Sequence, residues 1–250
     1  MAQPFGYEKL NVYQKGMSFA ACRSELLDTF SRRVVACGHL DHAAESILVN
    51  IAHASSSWSP KERIVCLGHA NGSALECAAC LDVLVAKNLL MSRDVYPGKN
   101  LLAEIVSMLI AMRKTTANRV CEDRALYRTV KGRLFSHEDM DVYQTALRLT
   151  GWVESLFTAF SCSADLFSKL DAATTAIVLN LAESNGRFSG ADQAKFLGIA
   201  FKATVQSAAL VDLATARGSA EPSQVEDGRE MLRCIAAMLT SLSKVTSRDT

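Results

Sequence analysis

The hydrophobic positions of this chain recur at the spacing of amphipathic α-helices. Between residues 40 and 54 they follow the i, i+3, i+4, i+7 pattern that gathers apolar side chains on one helix face. They are Leu40, Ala43, Ala44, Ile47, Leu48, Ile51 and Ala54. Residues 170–181 repeat the pattern, and no segment alternates with period two over the length of a strand. The pattern predicts an all-α protein.

Polar residues ahead of the next apolar segment predict where a helix begins. Ser59 is an N-cap residue, Pro60 fits the first helical position, and Glu62 can complete a capping box. In the second half of the chain, Ser189 and Asp192 occupy the corresponding positions. The preceding stretches HASSSW and SNGRF have the composition of turns. With one apolar segment before them and one after, these signals predict four helices in each half.

The two halves are copies of one unit at a constant offset of 130 residues, without a gap. Corresponding pairs include Tyr13 and Tyr143, Asp41 and Asp171, Ser59 and Ser189, and Asp82 and Asp212. Because the register holds along the whole half, each half should fold as the same unit. We therefore predict two tandem antiparallel four-helix bundles, at residues 1–118 and 132–250, joined by a junction at residues 119–131.

Three motifs within the repeat carry a family resemblance. The opening motif is LNVYQ in the first half and MDVYQ in the second. The turn is NIAHASSSW in the first half and NLAESNGRF in the second, followed by CLGHANGSALE and FLGIA respectively. This arrangement resembles the four helix bundle protein family, which includes proteins encoded by intervening sequences in bacterial 23S ribosomal RNA genes and accessory proteins of diversity-generating retroelements. The resemblance implies an accessory role close to RNA or to an RNA-handling protein such as a reverse transcriptase.

Each copy has lost a different part of the family motif. The first half has His53 and Ser57 where the family has Glu and Arg, and the second half keeps these two as Glu183 and Arg187. Only the first half keeps the later Gly-Ser-x-x-Glu element. The retained turn-motif residues that we consider functional candidates are Asn50, Glu76, Asn180, Glu183, Gly186 and Arg187. Glu183 and Arg187 can pair at i, i+4. Three interpretations remain open: a structural turn, a recognition site at the bundle end, or catalysis.

The junction is the strongly charged part of a chain whose formal net charge is only +1. Residues 113–133 hold seven Lys and Arg residues against two acidic ones, a local net charge of +5. The basic residues, which we consider candidates for RNA binding, are Arg113, Lys114, Arg119, Arg124, Arg128, Lys131 and Arg133. A basic helix face can engage phosphates. The alternative is a solvated linker whose cations favour the carboxyl end of the fourth helix.

A cysteine and histidine cluster offers the one apparent metal motif. Cys66, His69, Cys77 and Cys80 have suggestive spacings. On one continuous helix, however, Cys66 and Cys77 would lie about 16 Å apart, so that only a break near Gly72 could bring them together. We therefore expect reduced core thiols, no metal and no cofactor. No phosphate-binding Gly-rich loop or hydrolase motif is present in the sequence, so we expect no enzymatic activity.

These observations favour a non-catalytic accessory or assembly protein that binds a macromolecular partner, either RNA or an RNA-handling protein. The alternatives are a structural oligomerisation module, in which the partner is a homo-oligomer, and a small-molecule or metal-binding bundle. The amino terminus lacks a basic region followed by an apolar one, and no apolar run approaches roughly 20 residues. We therefore expect a cytoplasmic protein without a membrane role.

Overall fold

A computed structural model of the chain describes residues 6–27, 34–118, 134–159 and 164–246. Within these ranges the protein is helical and contains no β-strand, which confirms the all-α prediction. The helices are α1 (Asn11–Leu27), α2 (Val35–Ser56), α3 (Pro60–Ala86), α4 (Ser92–Asn118), α5 (Asp141–Ala159), α6 (Ala164–Gly186), α7 (Gly190–Ala216) and α8 (Pro222–Thr246). Two 3₁₀ helices, Gly6–Lys9 and Ser136–Asp139, precede α1 and α5.

The helices form two four-helix bundles, as the repeat predicts. In the first bundle, helices that follow one another in the chain pack together, and α1 also packs against α4 to close the bundle. The second bundle has the same arrangement, with α5 packed against α8. The short turns that join α2 to α3, α3 to α4, α6 to α7 and α7 to α8 make these neighbours antiparallel. The predicted junction at residues 119–131 lies outside the described residues.

The predicted helix starts are present in both copies. The Ser59 hydroxyl accepts the backbone N–H of Glu62 at 3.4 Å, and the Ser189 hydroxyl accepts that of Asp192 at 3.5 Å. Each cap satisfies one of the backbone donors that a helix leaves without an intrahelical partner at its first turn. These caps fix the start of the third helix of each bundle, and the third helix of the first bundle, α3, makes the contact with the second bundle.

The two bundles pack against each other through different faces. Helix α3 of the first bundle contacts α6 and α5 of the second, and α2 also touches α6. The repeat counterpart of α3 is α7, and the counterparts of α5 and α6 are α1 and α2. A face built on the third helix of one bundle thus meets a face built on the first two helices of the other. The hydrophobic core runs continuously through this contact.

Among the described residues, α3 and α7 are long and apolar enough, by length and composition, to cross a membrane. The sequence prediction did not identify them. In α3, 61% of the most apolar window is buried within the protein, as in the core helix of a soluble bundle, but in α7 the share is 33%. Packing within the second bundle therefore leaves much of the apolar surface of α7 exposed.

Candidate functional site

The turn after α6 docks against the middle of α3. Gly186 is buried there, and its carbonyl oxygen accepts a hydrogen bond from Asn71 Nδ2 at 3.0 Å. A Cβ atom at Gly186 would collide with Leu75 Cδ1, a side chain that is only 2% exposed. Glycine therefore lets the two helices approach this closely.

The Glu183–Arg187 ion pair forms at i, i+4, as the spacing suggests, and lies against α3. The Arg187 guanidinium also stacks on the Phe196 ring, 4.6 Å from the ring centre. A Cβ at Gly72 would lie 3.4 Å from Arg187 and 3.5 Å from Glu183, so a single Cβ would already be in van der Waals contact with the pair. Burial raises the pKa of Glu183, although Arg187 opposes that shift.

The remaining motif residues serve their own bundles. Asn50 Nδ2 donates to the Ser46 carbonyl at 2.9 Å, and Asn180 Nδ2 donates to the Ala176 carbonyl at 2.7 Å, one helical turn back in each case. Glu76 pairs with His39 at 3.1 Å, and this hydrogen bond raises the pKa of His39. The two asparagines therefore occupy equivalent structural positions in both halves.

The different losses in the two copies are complementary. The first half keeps Gly72, and the second half keeps Glu183, Gly186 and Arg187; these residues meet at the contact between the bundles, where Asn71, next to Gly72, binds the Gly186 carbonyl. Among the described residues, the diverged positions of the second half lie on α7, which makes no contact with the first bundle. The sequence shows that each half has lost a different part of the motif, but it does not indicate that the two retained parts face each other.

A buried ionic cluster joins the end of α3 to the second bundle. Lys87 Nζ forms an ion pair with Asp171 and lies 3.9 Å from Glu154 Oε2. Asp171 also accepts the Val35 backbone N–H and the Thr175 hydroxyl, at 3.5 and 3.4 Å. Sequence analysis did not identify Lys87, because a lysine just after a helix normally faces solvent.

A second polar cluster lies in the groove between α3 and α4. Lys99 Nζ is 2.6 Å from Asp82 and also pairs with Glu138, and the Tyr143 hydroxyl donates to Asp82 at 3.0 Å. Burial raises the pKa of Asp82, with Lys99 opposing it. Burial alone would lower the pKa of Lys99, but the two carboxylates raise it overall. The cluster attaches the start of the second bundle to the first.

His137 lies beside this cluster in an apolar setting. Its ring stacks on Phe135 at 5.6 Å and meets Tyr143 edge-on at 4.7 Å, and it is fully buried. Neither ring nitrogen has a hydrogen-bond partner among the described residues. Burial, with a smaller contribution from Lys99, lowers the pKa of His137 to about 3. The imidazole is therefore neutral and acts as a packing residue.

Two of the basic candidates fall within the described residues. The Arg113 guanidinium lies 3.7 Å from the centre of the Phe188 ring, which belongs to the turn between α6 and α7, and burial lowers its pKa. Lys114 is exposed on the same helix. Arg119, Arg124, Arg128, Lys131 and Arg133 lie outside the described residues. Arg113 thus contributes a contact between the bundles.

The cysteines of α3 are core residues. The helix continues without a break through Gly72, and Cys77 and Cys80 are fully buried, while His69 is exposed. Burial raises the thiol pKa of Cys77 and Cys80 well above its ordinary value, which disfavours the thiolate that metals bind. Within the described ranges, no group of three or more His, Cys, Asp or Glu side chains could hold a metal ion.

These features define a tandem four-helix-bundle protein whose two units are held together by glycine-mediated close packing and buried ion pairs. The sequence profile of the 23S rRNA-intervening sequence protein family matches residues 8–111 and matches again at residues 138–241. The chain therefore belongs to this family, as a tandem duplication of its bundle, and the resemblance is confirmed. Comparisons with curated proteins and with solved structures give no match. The family indicates an RNA-associated role.

Proposed function

We propose that the protein is a non-catalytic accessory protein that binds RNA, or an RNA-handling protein, on a platform made of two fixed bundles. The observation that supports a non-catalytic role is that the charged side chains of the motif and of the contact between the bundles are paired with each other. Arg187, Lys87 and Lys99 each have a carboxylate partner within the protein. Buried charges that are fully paired hold an architecture together and leave no group ready to react.

RNA is the favoured partner because of family membership and the basic segment at residues 113–133. Lys and Arg side chains bind the phosphate backbone largely without regard to base sequence, and each contact releases counterions. Arg113 and Lys114 lie near the carboxyl end of α4, where α4 reaches the α6–α7 turn of the second bundle. An RNA bound along the basic segment would thus lie beside both bundles.

The test is the salt dependence of RNA binding, followed by fluorescence anisotropy of a labelled single-stranded RNA. Replacing Arg124, Arg128, Lys131 and Arg133 with Gln should flatten the slope of log affinity against log salt by up to about 0.7 per lost phosphate contact. A control variant carries the same loss of four charges at exposed sites elsewhere: Lys61, Arg93, Lys169 and Arg233 to Gln. Equal slopes in the two variants would remove the basic segment from the proposal.

A structural oligomerisation module is the second candidate, and the exposed apolar surface of α7 favours it. The two candidates differ at low ionic strength, where phosphate contacts are strongest. Wild-type protein that binds no RNA at about 50 mM salt would leave the structural module as the better account.

A further inference from the structure

A groove lies in the second bundle between the start of α5 and the carboxyl-terminal half of α8. Its volume is about 570 Å³, and the apolar part of its lining includes Met140, Met238, Leu242 and Val245. Among the described residues, α8 packs against α5 and α7 and touches no helix of the first bundle. The groove therefore lies apart from the contact between the bundles.

The α8 side of the groove is an apolar stripe on one helix face. Met238, Leu242 and Val245 follow one another at i, i+4 and i+7, so they lie in a row along about 10 Å of the helix. Val245 is 60% exposed, although valine is most often a core residue. A stripe of this kind is what one helix presents to another. The groove thus has the pattern and the length to take two turns of a further helix.

Two methionine side chains make the groove adaptable. Met140 and Met238 line it from opposite sides, and both are half-buried. Methionine is unbranched and polarizable, and it is common on surfaces that accept partners of differing sequence. The groove can therefore close around apolar side chains of different shapes.

The rim of the groove is acidic. Asp139 and Asp141 line it and are exposed, and among the described residues its lining includes no Lys or Arg. Asp141 lies in the first turn of α5, where the helix dipole stabilises a negative charge. Val245 lies in the last turn of α8, where the backbone carbonyls carry a partial negative charge. A partner that complements this rim carries positive charge.

Comparison with the first copy of the repeat shows that only the second copy has the acidic rim. Three apolar lining positions stay apolar in the first copy, where they are Leu10, Met108 and Met112. At the two rim positions the first copy has Lys9 and Asn11 instead of two aspartates. The formal charge of these two positions therefore changes from +1 to −2, while the apolar character of the floor is retained.

Charge and shape together select the class of partner. An acidic rim repels phosphates, so RNA does not complement this groove, although the basic segment ends at Arg133, six residues before Asp139. A small apolar molecule would use the floor but not the rim. A helix with an apolar stripe flanked by Lys and Arg uses both.

We propose that this groove binds a basic amphipathic helix of a partner protein. The apolar stripe of that helix packs on Met238, Leu242 and Val245, and its flanking Lys or Arg side chains pair with Asp139 and Asp141. The inference rests on the part of the proposed function that concerns an RNA-handling protein, because such proteins carry basic segments. RNA on the basic segment and a protein helix in the groove then lie next to each other.

The experiment uses the full-length protein and two fluorescein-labelled helical peptides of about 14 residues, or four turns. Both peptides carry Leu at the i, i+3, i+4 and i+7 spacing, and the remaining positions are Lys in one and Glu in the other. By fluorescence anisotropy, the Lys peptide should bind about tenfold more tightly than the Glu peptide, and its affinity should fall as salt is raised. Equal affinities of the two peptides would overturn the proposal.

The rim is tested by giving the second bundle the rim residues of the first. Asp139→Lys with Asp141→Asn should weaken binding of the Lys peptide by about 5- to 30-fold, because each exposed charge pair contributes modestly. The matched control makes the same change of three charges at exposed sites by the amino-terminal end of α8, with Asp227→Lys and Glu221→Gln. The control should bind the Lys peptide within about twofold of wild type. An equal loss in both variants would show a response to overall charge and overturn the proposal.

The floor is tested without a change of charge. Val245→Asn should weaken the Lys peptide by about tenfold, because the valine is no longer buried by the bound helix. Val65→Asn is the matched control, since Val65 is 54% exposed on α3, outside the groove, and it should bind the peptide like wild type. Far-UV circular dichroism establishes that each variant is folded. Where the double rim variant fails to fold, Asp141→Asn alone should weaken the Lys peptide by about threefold.

RNA affinity, measured on the same proteins without peptide, separates this inference from the RNA-binding proposal. Val245→Asn should leave RNA affinity unchanged. A folded Val245→Asn variant that loses RNA affinity would assign the groove to RNA and overturn the inference. Wild-type protein that binds the Lys peptide as expected but binds no RNA would support the groove and contradict RNA binding alone.

Discussion

Replacing Lys87 with methionine removes the cation from a buried ionic cluster and keeps a side chain of similar length. The Lys87 side chain is 0% exposed, and those of Asp171 and Glu154 are 4% and 10% exposed. Water at this depth cannot replace the missing counter-charge, so two carboxylates remain in a medium of low dielectric constant.

The expected loss of unfolding free energy follows from this depth. Removing one partner of a buried ion pair costs about 3–5 kcal/mol, which is roughly two to four powers of ten in the folding equilibrium. The loss cannot exceed the free energy that holds the two bundles together, because separation of the bundles would return both carboxylates to water. We expect a value within this range, since both acids lose the same cation.

Urea unfolding followed by far-UV circular dichroism measures the effect. The midpoint should fall while the slope with denaturant is unchanged, because the surface exposed on unfolding is the same. Arg217→Met is the matched control at the exposed repeat counterpart, and it should change the unfolding free energy by at most about 0.5 kcal/mol. A cycle with Asp171→Asn should give a coupling energy of about 0.5–3 kcal/mol. Equal midpoints for Lys87→Met and Arg217→Met would refute the reasoning.

Two further predictions concern the same contact. Gly151→Ala should lower the unfolding free energy by about 1–3 kcal/mol, because its Cβ would lie 2.6 Å from the Ala86 carbonyl oxygen; Gly198→Ala, with nothing within 4 Å, should instead raise the thermal midpoint through helix propensity. The pKa of His137 is about 3 in the folded protein against 6.5 for a free histidine, so the unfolded state binds the extra proton between these values. Protonation of His137 in the unfolded state therefore costs no stability above pH 6.5, and below that pH it lowers the unfolding free energy by about 1.4 kcal/mol per pH unit. His137→Phe should remove this contribution to the slope of unfolding free energy against pH. Urea titrations at several pH values measure that slope, and an unchanged slope in the variant would contradict the prediction.

The sequence alone determined the local structure and the repetition of this protein. Helix periodicity, the caps at Ser59 and Ser189, and the constant offset of 130 residues depend on neighbouring residues or on comparison within the chain. These signals are short-range, because the apolar stripe and the cap chemistry are written within one or two helical turns. The same reasoning identified the i, i+4 pairing of Glu183 with Arg187.

Only the tertiary structure decided which faces meet. Both halves carry the same stripes, so the sequence does not distinguish Leu75, which is buried against the second bundle, from Val205, which is exposed. Lys87 resembles any lysine after a helix until Asp171, 84 residues away in the chain, is brought against it. The physical reason is that burial of these side chains comes from contacts between distant segments, and a repeated pattern offers two equivalent faces of which the chain itself can use only one.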